Sequence, residues 1–459
     1  MRQIFKSNLH NAGLKVAKLL QNGNFQAFWV GGIVRNMLLK RESDNIDIAT
    51  DATPEQIEKI LAKAKIRVKP VGRQFGSMLA IVDTFKIEIT TFRSEGRYSD
   101  NRHPDQVEFI KDYLQDAKRR DFTINALYYD PVKQQIFDPT NGQKDLKAKL
   151  LRFVGDPKKR IDEDALRMLR GVRLATQLGF KLEKNSFAAI KTRAKYIQGI
   201  SGERIKAELD KILLSENRID GLKLLDKTSL LKFIIPEFQK LKNVRHKSKH
   251  QHLEGDMFTH IFQAVELLAD KADLNLIYAT LFHDVGKVIK PTKIFSEDNE
   301  VRYSYIGHIK ESEVIFRRFA IKFKFPRNPR ELIAWLVSHH DDRTIFLKGD
   351  ETQRLKYLMI PNIELLLEVW RVDSLANLRL IDGKPGRRES DAYIAAKELL
   401  AKINKHESLI SKLAKGDLIM KYSSIKPGKE LGRKIEDVKV QVVLGKVKNE
   451  RNLQSYLNA

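Results

Sequence analysis

The chain has 459 residues, of which 42% are hydrophobic and 31% are charged, and its formal net charge is +25. This length exceeds a single ordinary core and predicts several domains. The chain contains no cysteine, which excludes disulfide partners and thiolate metal sites. No apolar run reaches the length of a membrane span or a signal core, so we expect a cytoplasmic protein with no membrane partner. The positive charge favours a polyanionic partner, of which nucleic acid is the commonest.

The first 150 residues predict a domain of mixed helices and strands. Apolar residues spaced along residues 1–22 predict a helix, and Thr53-Pro54 is a start signal for a second helix over Ala52–Ala62. Short runs of strand-forming residues then predict strands. These runs are Phe25–Val30, Asn45–Ala49, Ser77–Val82, Phe85–Thr90 and Leu127–Tyr129.

From Asp162 onward the spacing of apolar residues is almost wholly helical. We therefore predict an α+β fold class, with an α/β head followed by an extended all-α neck, body and tail. The predicted segments are a head over 1–150, a neck over 151–240, a histidine-rich helical segment over 241–375 and a basic helical tail over 376–459.

A glycine pair, an arginine and an acidic strand follow one another within the head. Gly31 and Gly32 allow backbone amides to approach phosphate oxygens, and Arg35 can pair with a triphosphate. Asn45 and Asp47 share one face of a strand and can hold one Mg²⁺ together, with Glu88 as a candidate third ligand. Phosphoryl transfer needs such an arrangement. The alternative is an ordinary strand–turn–helix unit with solvated acids.

These residues and several later blocks resemble the class II tRNA nucleotidyltransferases and bacterial poly(A) polymerases of the polymerase-beta superfamily. The likeness covers about residues 1–210 and becomes looser beyond them. The blocks that carry it are VGGIVRNMLL, NIDIAT, Ile87-Glu88, RRDFTINA at 119–126, EDALRMLR at 163–170 and Glu203-Arg204-Ile205.

The resemblance implies a polymerase-beta-type head and a template-independent RNA nucleotidyltransferase. Such an enzyme depends on Mg²⁺ and adds C, C and A, or part of that sequence, to tRNA 3′ ends from CTP and ATP. Asp164 and Arg167 lie three residues apart, on one face of a predicted helix, and the resemblance implies that they select the base. A surface salt bridge is the alternative. The other implied nucleotide-binding residues are Arg35, Arg120, Asp121, Asn125 and Arg170.

Two positions depart from the family pattern, which has Asp where this chain has Asn36 and Asn45. We expect Asn36 to serve local structure. Asn45 replaces a metal-binding carboxylate with a neutral amide, whose oxygen can bind Mg²⁺ without the charge that tightens binding. The sequence therefore leaves three possibilities open: a head with slow catalysis, a head with a different metal-ligand geometry, or a catalytically silent head that still binds RNA.

Histidine and aspartate recur in order through the histidine-rich segment, as His260, His283-Asp284, His308, His339-His340 and Asp373. This ordered series resembles an HD-type metal-dependent phosphohydrolase domain. Imidazole and carboxylate ligands suit Mn, Fe, Ni or Zn. The resemblance implies a first metal site, a second site that two-metal hydrolysis would use, and Lys287 as a group that stabilises the leaving oxyanion. A 2′,3′-cyclic phosphate or phosphomonoester at an RNA end is the expected substrate. The first site comprises His260, His283, Asp284 and Asp373, and the second comprises His308 with His339 or His340.

Lys and Arg recur through 203–250 and 402–451 with few aromatic residues, which favours binding to the backbone of a folded RNA over base stacking. The first hypothesis is therefore a tRNA CCA-adding nucleotidyltransferase. A poly(A) polymerase is an alternative within the same class. A silent, RNA-binding head joined to a working phosphohydrolase site is an alternative from another class, and an RNA chaperone with both sites silent is a third.

Overall fold

The computed structural model describes residues 7–96, 106–244, 253–295 and 301–459. Its contacts divide the chain into two compact units, Met1–Ile234 and Ile235–Ala459. The first unit combines a mixed β-sheet with helices, and the second is mainly helical. The α+β fold class is confirmed, whereas the division into four segments stays a prediction. Within the described ranges, no helix has both the length and the apolar character needed to cross a membrane.

The main sheet of the first unit has the strand order β3-β4-β5-β2-β1-β8-β9. Strands β2 and β5 pair in parallel, and the other neighbours pair antiparallel. Strands β6 and β7 form a separate antiparallel pair, and β10 and β11 a parallel one. The strands of this unit are β1 Ala27–Val30, β2 Ile46–Thr50, β3 Arg67–Gly72, β4 Ser77–Val82, β5 Phe85–Thr91, β6 Arg93–Glu95, β7 Val107–Phe109, β8 Tyr128–Asp130, β9 Gln135–Phe137, β10 Leu150–Leu151 and β11 Lys181–Leu182.

Helices cover this sheet and continue beyond it. The predicted start of the second helix is confirmed, because the Thr53 hydroxyl and the Gln56 side chain form a reciprocal capping box. The helices of this unit are α1 Ser7–Asn22, α2 Gly32–Leu38, α3 Pro54–Lys63, α4 Tyr113–Lys118, α5 Gly142–Lys147, α6 Pro157–Glu163, α7 Leu166–Leu178, α8 Lys184–Arg193, α9 Gly202–Leu213, α10 Arg218–Lys227 and α11 Leu230–Ile234.

The burial pattern of each strand follows its place in the sheet. Strand β1 is buried throughout, as expected for a central strand flanked by β2 and β8. Strand β4 alternates buried and half-buried residues, and its bounds match the predicted strand. Strand β3 lies at the sheet edge with mostly exposed residues, so it lacks the apolar alternation that predicts a strand.

The parallel pairing of β2 with β5 positions the acidic residues of the head. In its register Asp47 is the partner of Glu88. Paired residues of neighbouring strands lie on the same face of a sheet, so the two carboxylates project to one side. Asn45 lies immediately before β2, one position outside the strand predicted for it.

The second unit is built on packed helices that include α13, α14, α15, α16 and α19. Short hairpins, β12–β13 and β14–β15, interrupt the helical pattern and were not predicted from the sequence. The elements are α12 Glu237–Leu241, α13 Met257–Glu266, α14 Leu274–Phe282, β12 Thr292–Phe295, β13 Val301–Ser304, α15 His308–Lys322, α16 Arg327–His339, α17 Arg343–Lys348, α18 Glu351–Leu358, α19 Ile363–Ala376, β14 Arg379–Ile381, β15 Lys384–Gly386, α20 Asp391–Lys405, α21 Glu407–Leu413, α22 Gly416–Tyr422, α23 Lys429–Val443 and α24 Glu450–Asn458.

Substitution of Gly142 by Ala tests the packing of the loop that carries part of the head site. A Cβ at Gly142 would overlap the backbone carbonyl of Thr123, which cannot move without shifting the adjacent 3₁₀ turn. We expect Gly142→Ala to lower the free energy of unfolding by about 2 kcal/mol, measured by denaturant titration. Gly199→Ala is the matched control, because nothing lies within 4 Å of its Cβ position. Equal stability of the two variants would contradict the packing described here.

Candidate active site

The turn between β1 and α2 forms one wall of the head site. Gly31 has a φ of 74°, in the left-handed region that favours glycine, and its carbonyl accepts from the Arg35 amide. A Cβ at this position would lie 3.9 Å from Nη1 of Arg120 and 4.0 Å from Oδ2 of Asp47. The glycine therefore leaves open the space between an arginine and an acid.

Asp47 is the central carboxylate of this site. Burial and the neighbouring Glu88 raise its pKa to about 6, and Arg120 and the hydrogen bond from Asn45 oppose that rise. The amide nitrogen of Asn45 donates to Oδ1 of Asp47 at 3.3 Å. Asn45 and Glu88 are both exposed, so the edge of the acidic group is open to solvent.

A chain of hydrogen bonds orients Arg35. Its Nε and Nη2 donate to Oδ1 of Asn36 at 3.1 and 2.9 Å, and its Nη1 donates to Oδ1 of Asn125 at 2.7 Å. Asn125 in turn donates to Asp121, which accepts from Nε and Nη2 of Arg170 at 3.0 and 2.6 Å. Asn36 therefore has the local structural contact expected from the sequence. Burial opposes ionisation of Asp121, yet Arg170 holds the pKa of this carboxyl at about 2.

Arg120 is fixed by a buried acid that the sequence analysis did not single out. Asp116 has no exposed surface and accepts from Arg119 Nη2 at 2.7 Å, from Arg120 Nη2 at 3.1 Å and from the Tyr128 hydroxyl at 2.6 Å. Nε of Arg120 also donates to the Tyr128 oxygen at 2.9 Å. Although burial favours the neutral acid, Arg120 and Arg119 lower the pKa of Asp116 to about 2.

The prediction that Asp164 and Arg167 lie on one helix face is wrong. Helix α6 ends before Asp164, which has an extended backbone with φ −147° and ψ 105°, and α7 begins two residues later. The Asp164 carboxylate accepts from the Leu166 amide at 3.0 Å and from Arg204 Nη2 at 2.8 Å. Arg167 instead pairs with Glu163, from Nη1 to Oε2 at 2.6 Å. Two separate helices therefore lie where the spacing predicted one.

These residues line a cleft of about 620 Å³ in the first unit. The predicted head residues all line it except Glu88, which adjoins Asp47 on the neighbouring strand. The cleft also contains cations that sequence reasoning missed. Arg204 belongs to the Glu203-Arg204-Ile205 block, and Arg173 lies about one helical turn after Arg170. The sequence could therefore have indicated both residues. The predicted lining residues are Gly31, Gly32, Arg35, Asn45, Asp47, Arg120, Asp121, Asn125, Asp164, Arg167 and Arg170, and the added cations are Arg119, Arg173, Arg204 and Lys211.

A second cluster of candidate ligands lies in the second unit. One ligand atom from each of His260, His283, Asp284 and Asp373 falls within 4.8 Å of the others, and all four residues are buried. Nε2 of His260 lies 2.9 Å from Oδ1 of Asp373, and Nε2 of His283 lies 3.4 Å from the same atom. Asp284, His308 and His340 form an adjoining group.

Backbone carbonyls orient the imidazole rings of this cluster. Nδ1 of His283 lies 2.7 Å from the Thr280 carbonyl, and Nδ1 of His340 lies 2.7 Å from the Val337 carbonyl, which leaves each Nε2 directed at the acids. Of the two alternatives His339 and His340, the structure brings His340 into this group, and His339 is not among the described residues that converge there. It is the neighbour of His340 on α16, points in another direction, and packs its ring against Trp335 at 4.8 Å.

The donor set of the cluster fits a transition metal. Nε2 of His283 and Oδ1 of Asp284 are fully buried without a hydrogen-bond partner, which is costly for polar atoms unless a ligand satisfies them. Burial opposes ionisation of Asp284, but Lys287 and His283 hold its pKa well below the usual range. The acids are therefore charged and ready to ligate a cation.

Comparison with known proteins gives consistent matches along the chain. Residues 27–152 match the family model described as the poly A polymerase head domain, residues 179–241 the probable RNA and SrmB-binding site of polymerase A, and residues 257–375 the HD domain. The fold and the two sites thus define a nucleotidyltransferase with an HD domain.

Curated relatives narrow this class. A CCA-adding enzyme of Staphylococcus epidermidis is 34% identical over 308 residues, covering 65% of this chain and 74% of the relative. The Lactococcus lactis subsp. cremoris enzyme is 43% identical over 227 residues, covering 49% of this chain and 55% of the relative. The chain belongs to the CCA-adding enzyme family. Other relatives are matched over about half of their length.

A solved structure supports the fold over nearly the whole chain. The crystal structure of the Bacillus stearothermophilus CCA-adding enzyme in complex with CTP has a TM-score of 0.66 and covers 98% of this chain and 96% of its own. Its sequence identity is 23%, so the likeness concerns the fold.

Replacement of Asp47 by Asn tests the electrostatics of the head site. Because the pKa of Asp47 rises from 3.8 to about 6, its ionisation costs stability above pH 6, and the cost disappears as the pH falls below 3.8. We expect metal-free Asp47→Asn to be more stable than the natural protein by on the order of 2 kcal/mol at pH 8, and equally stable at pH 3.5. Thermal unfolding in EDTA at both pH values checks this. A variant less stable at pH 8 would contradict the raised pKa.

Proposed function

We propose that the protein adds C, C and A to the 3′ end of tRNA, from CTP and ATP and without a nucleic acid template. The observation that carries the proposal is the composition of the head cleft. Asp47 lines the cleft, with Glu88 beside it on the neighbouring strand, and oriented arginines, including Arg35 and Arg120, line the same cleft. Acids beside a cationic group suit a metal-bound triphosphate. A cytoplasmic location, expected from the sequence, is part of this proposal.

The residues that would hold Mg²⁺ are Asp47 and Glu88, with the Asn45 oxygen as a neutral ligand after rotation of its amide. Their fit rests on the mutual repulsion that contributes to the raised pKa of Asp47, which a cation would relieve. Bound Mg²⁺ would polarise the phosphate and the attacking oxygen. Arg35 and Arg120 orient the triphosphate and offset its charge, so that the tRNA 3′-oxygen displaces pyrophosphate from the α-phosphorus.

Asp164 and Arg167 supply the base selection in this proposal. Cytosine and adenine both present an amino donor beside a ring nitrogen acceptor, whereas uracil and guanine present a carbonyl at the first position. A carboxylate accepts from the amino group and a guanidinium donates to the ring nitrogen, so one pair of side chains serves both bases. Arg204 lies 2.8 Å from Asp164 and Glu163 lies 2.6 Å from Arg167, so each member of the pair is oriented by its own counterion.

The rival hypotheses have less support. The poly(A) polymerase alternative is not favoured, because curated relatives that match the chain are CCA-adding enzymes. A silent head would have no need for the network that orients Arg35 through Asn36 and Asn125. Asn45 removes one negative charge from the acidic group, but its amide donates a hydrogen bond to Asp47.

A second candidate function is metal-dependent phosphohydrolysis by the HD domain. His283 Nε2 and Asp284 Oδ1, which are buried without a hydrogen bond among converging ligands, favour a bound Mn, Fe, Ni or Zn ion there. His308 and His340 add ligands for a second ion around Asp284. We propose a phosphate ester at an RNA end as the substrate class, with Lys287 near the leaving oxygen. Bound ions would activate water, and the histidines and aspartates of the cluster would hold the ions in place.

Nucleotide incorporation tests the first function. Transcripts of tRNA that end before, within and after CCA are incubated with Mg²⁺ and CTP, ATP or both. We expect CTP and then ATP addition that stops after CCA, and we expect Asn45→Asp to raise the rate about tenfold or more at limiting Mg²⁺, because it restores a ligand charge. Addition of A alone, or A addition that continues past one residue, would overturn the proposal.

The control for this experiment is Asp47→Asn, which keeps the shape of the site and removes its central charge. We expect it to lose at least about a hundredfold in rate. Activity of the natural protein equal to that of Asp47→Asn, with activity regained only in Asn45→Asp, would establish a silent head.

Metal analysis tests the second candidate function. We expect the protein purified without chelator to contain at least one transition metal ion per chain, and His283→Ala to lose it, because that change removes a central ligand. His339→Ala is the matched control, since this neighbouring histidine lies outside the ligand cluster. Elemental analysis by mass spectrometry measures both. Equal metal content in the two variants would exclude the assigned ligand set.

A further inference from the structure

A small cavity of about 180 Å³ adjoins the histidine–aspartate cluster. One side consists of the ligands Asp284, His308, His340 and Asp373. The other side comes from residues beyond the stretch that matches the HD domain, namely Asn377, Arg379 of strand β14, and Ser390 before helix α20. A segment outside the matched domain therefore completes the wall of the cavity.

The cations of this cavity differ in their partners. Nζ of Lys287 lies 2.7 Å from Asp284, and Nη2 of Arg343 lies 2.7 Å from Asp373, so both have a carboxylate. Arg379 has a buried Nε without a hydrogen-bond partner, and its Nη2 makes one long bond of 3.4 Å to the Ser374 carbonyl. Among these three cations, Arg379 is thus the one whose charge an incoming anion would satisfy.

The strand that carries Arg379 is tied to the ligand cluster. One oxygen of the buried Glu254 contacts Nδ1 of His260 at 2.9 Å, and the other accepts from the backbone amide of Leu378 at 2.9 Å. Leu378 immediately precedes Arg379. A single carboxylate therefore fixes both a first-site ligand and the start of β14, which holds Arg379 at a defined distance from the metal ligands.

We propose that Arg379 binds the phosphate group of the substrate of the HD site. The inference rests on the second proposed function. The cavity of about 180 Å³ is large enough to admit a phosphate group.

The reaction follows from this placement. Water forms a new bond to phosphorus, the ester bond between phosphorus and the sugar oxygen breaks, and the proton from water ends on the released hydroxyl. Arg379 donates to a non-bridging phosphate oxygen throughout. Asp284, Asp341 and Asp373 also line the cavity and repel phosphate, so binding requires the metal ions that neutralise them.

Binding of inorganic phosphate to the full-length, Mn²⁺-loaded protein tests the inference by calorimetry. We expect Arg379→Gln to weaken binding about tenfold with unchanged metal content, Arg379→Lys to retain part of the affinity, and EDTA-treated protein not to bind. Arg388→Gln is the matched control, because this cation near Arg379 is exposed, pairs with Asp391 and does not line the cavity. It should change the affinity less than twofold.

Two results would overturn the role of Arg379: no phosphate binding by the Mn²⁺-loaded protein, or equal weakening by the Arg379 and Arg388 changes. Thermal unfolding of each variant separates lost binding from lost folding. Hydrolysis assays then compare a 3′-phosphomonoester, a 2′,3′-cyclic phosphate and a dinucleotide with an internal diester. Release from either terminal ester and not from the dinucleotide supports the substrate class, and cleavage of the dinucleotide contradicts it. Phosphate binding without any hydrolysis would remove the second function and leave Arg379 as an anion-binding residue.

Discussion

The buried carboxylate of Asp116 is the interaction on which the head site depends. A carboxylate without exposed surface is stable only when cations and donors surround it, and Asp116 gathers Arg119, Arg120 and the Tyr128 hydroxyl. Tyr128 belongs to β8, which pairs with the central strand β1. The same ion pairs therefore fix the sheet to the helix α4 and point Arg120 toward Gly31. Removing Asp116 would leave Arg119 and Arg120 without their buried counterion. The positions of these two arginines and the balance of charge around them therefore both depend on Asp116.

The HD cluster follows the same principle. Here buried acids face imidazoles, and the Nδ1 atoms of His283 and His340 are committed to backbone carbonyls. The remaining ring nitrogens converge on Asp284 and Asp373, whose own cations, Lys287 among them, hold the pKa values well below the usual range. In both sites, buried hydrogen bonds around the functional residues determine which side-chain atoms are left to bind a substrate or an ion.

The sequence predicts elements where burial leaves a periodic pattern and misses them where it does not. Strand β4 was predicted with its observed bounds because it alternates between faces, whereas the exposed edge strand β3 has no such pattern. Site residues within ordered motifs, such as Asp47 and Arg120, came together in the cleft. Asp116 stands in no motif, and its role depends on burial that only the tertiary structure creates. The spacing of Asp164 and Arg167 suggested one helix, but spacing does not reveal that α6 ends at Glu163 and that α7 begins only at Leu166.

Asn45 changes the charge of the head more than its geometry. Asp47 already carries a pKa of about 6 because it is buried beside Glu88, and a third carboxylate would add to that repulsion in the metal-free state. The Asn45 amide instead donates to Asp47 and opposes the rise of its pKa, which favours the ionised carboxylate at neutral pH. The cost falls on Mg²⁺ affinity, since one negative charge is missing. In the proposed reaction the oriented arginines would bind the triphosphate, and the nucleotide would bring its own phosphate oxygens as ligands. The substrate would then supply the charge that position 45 lacks.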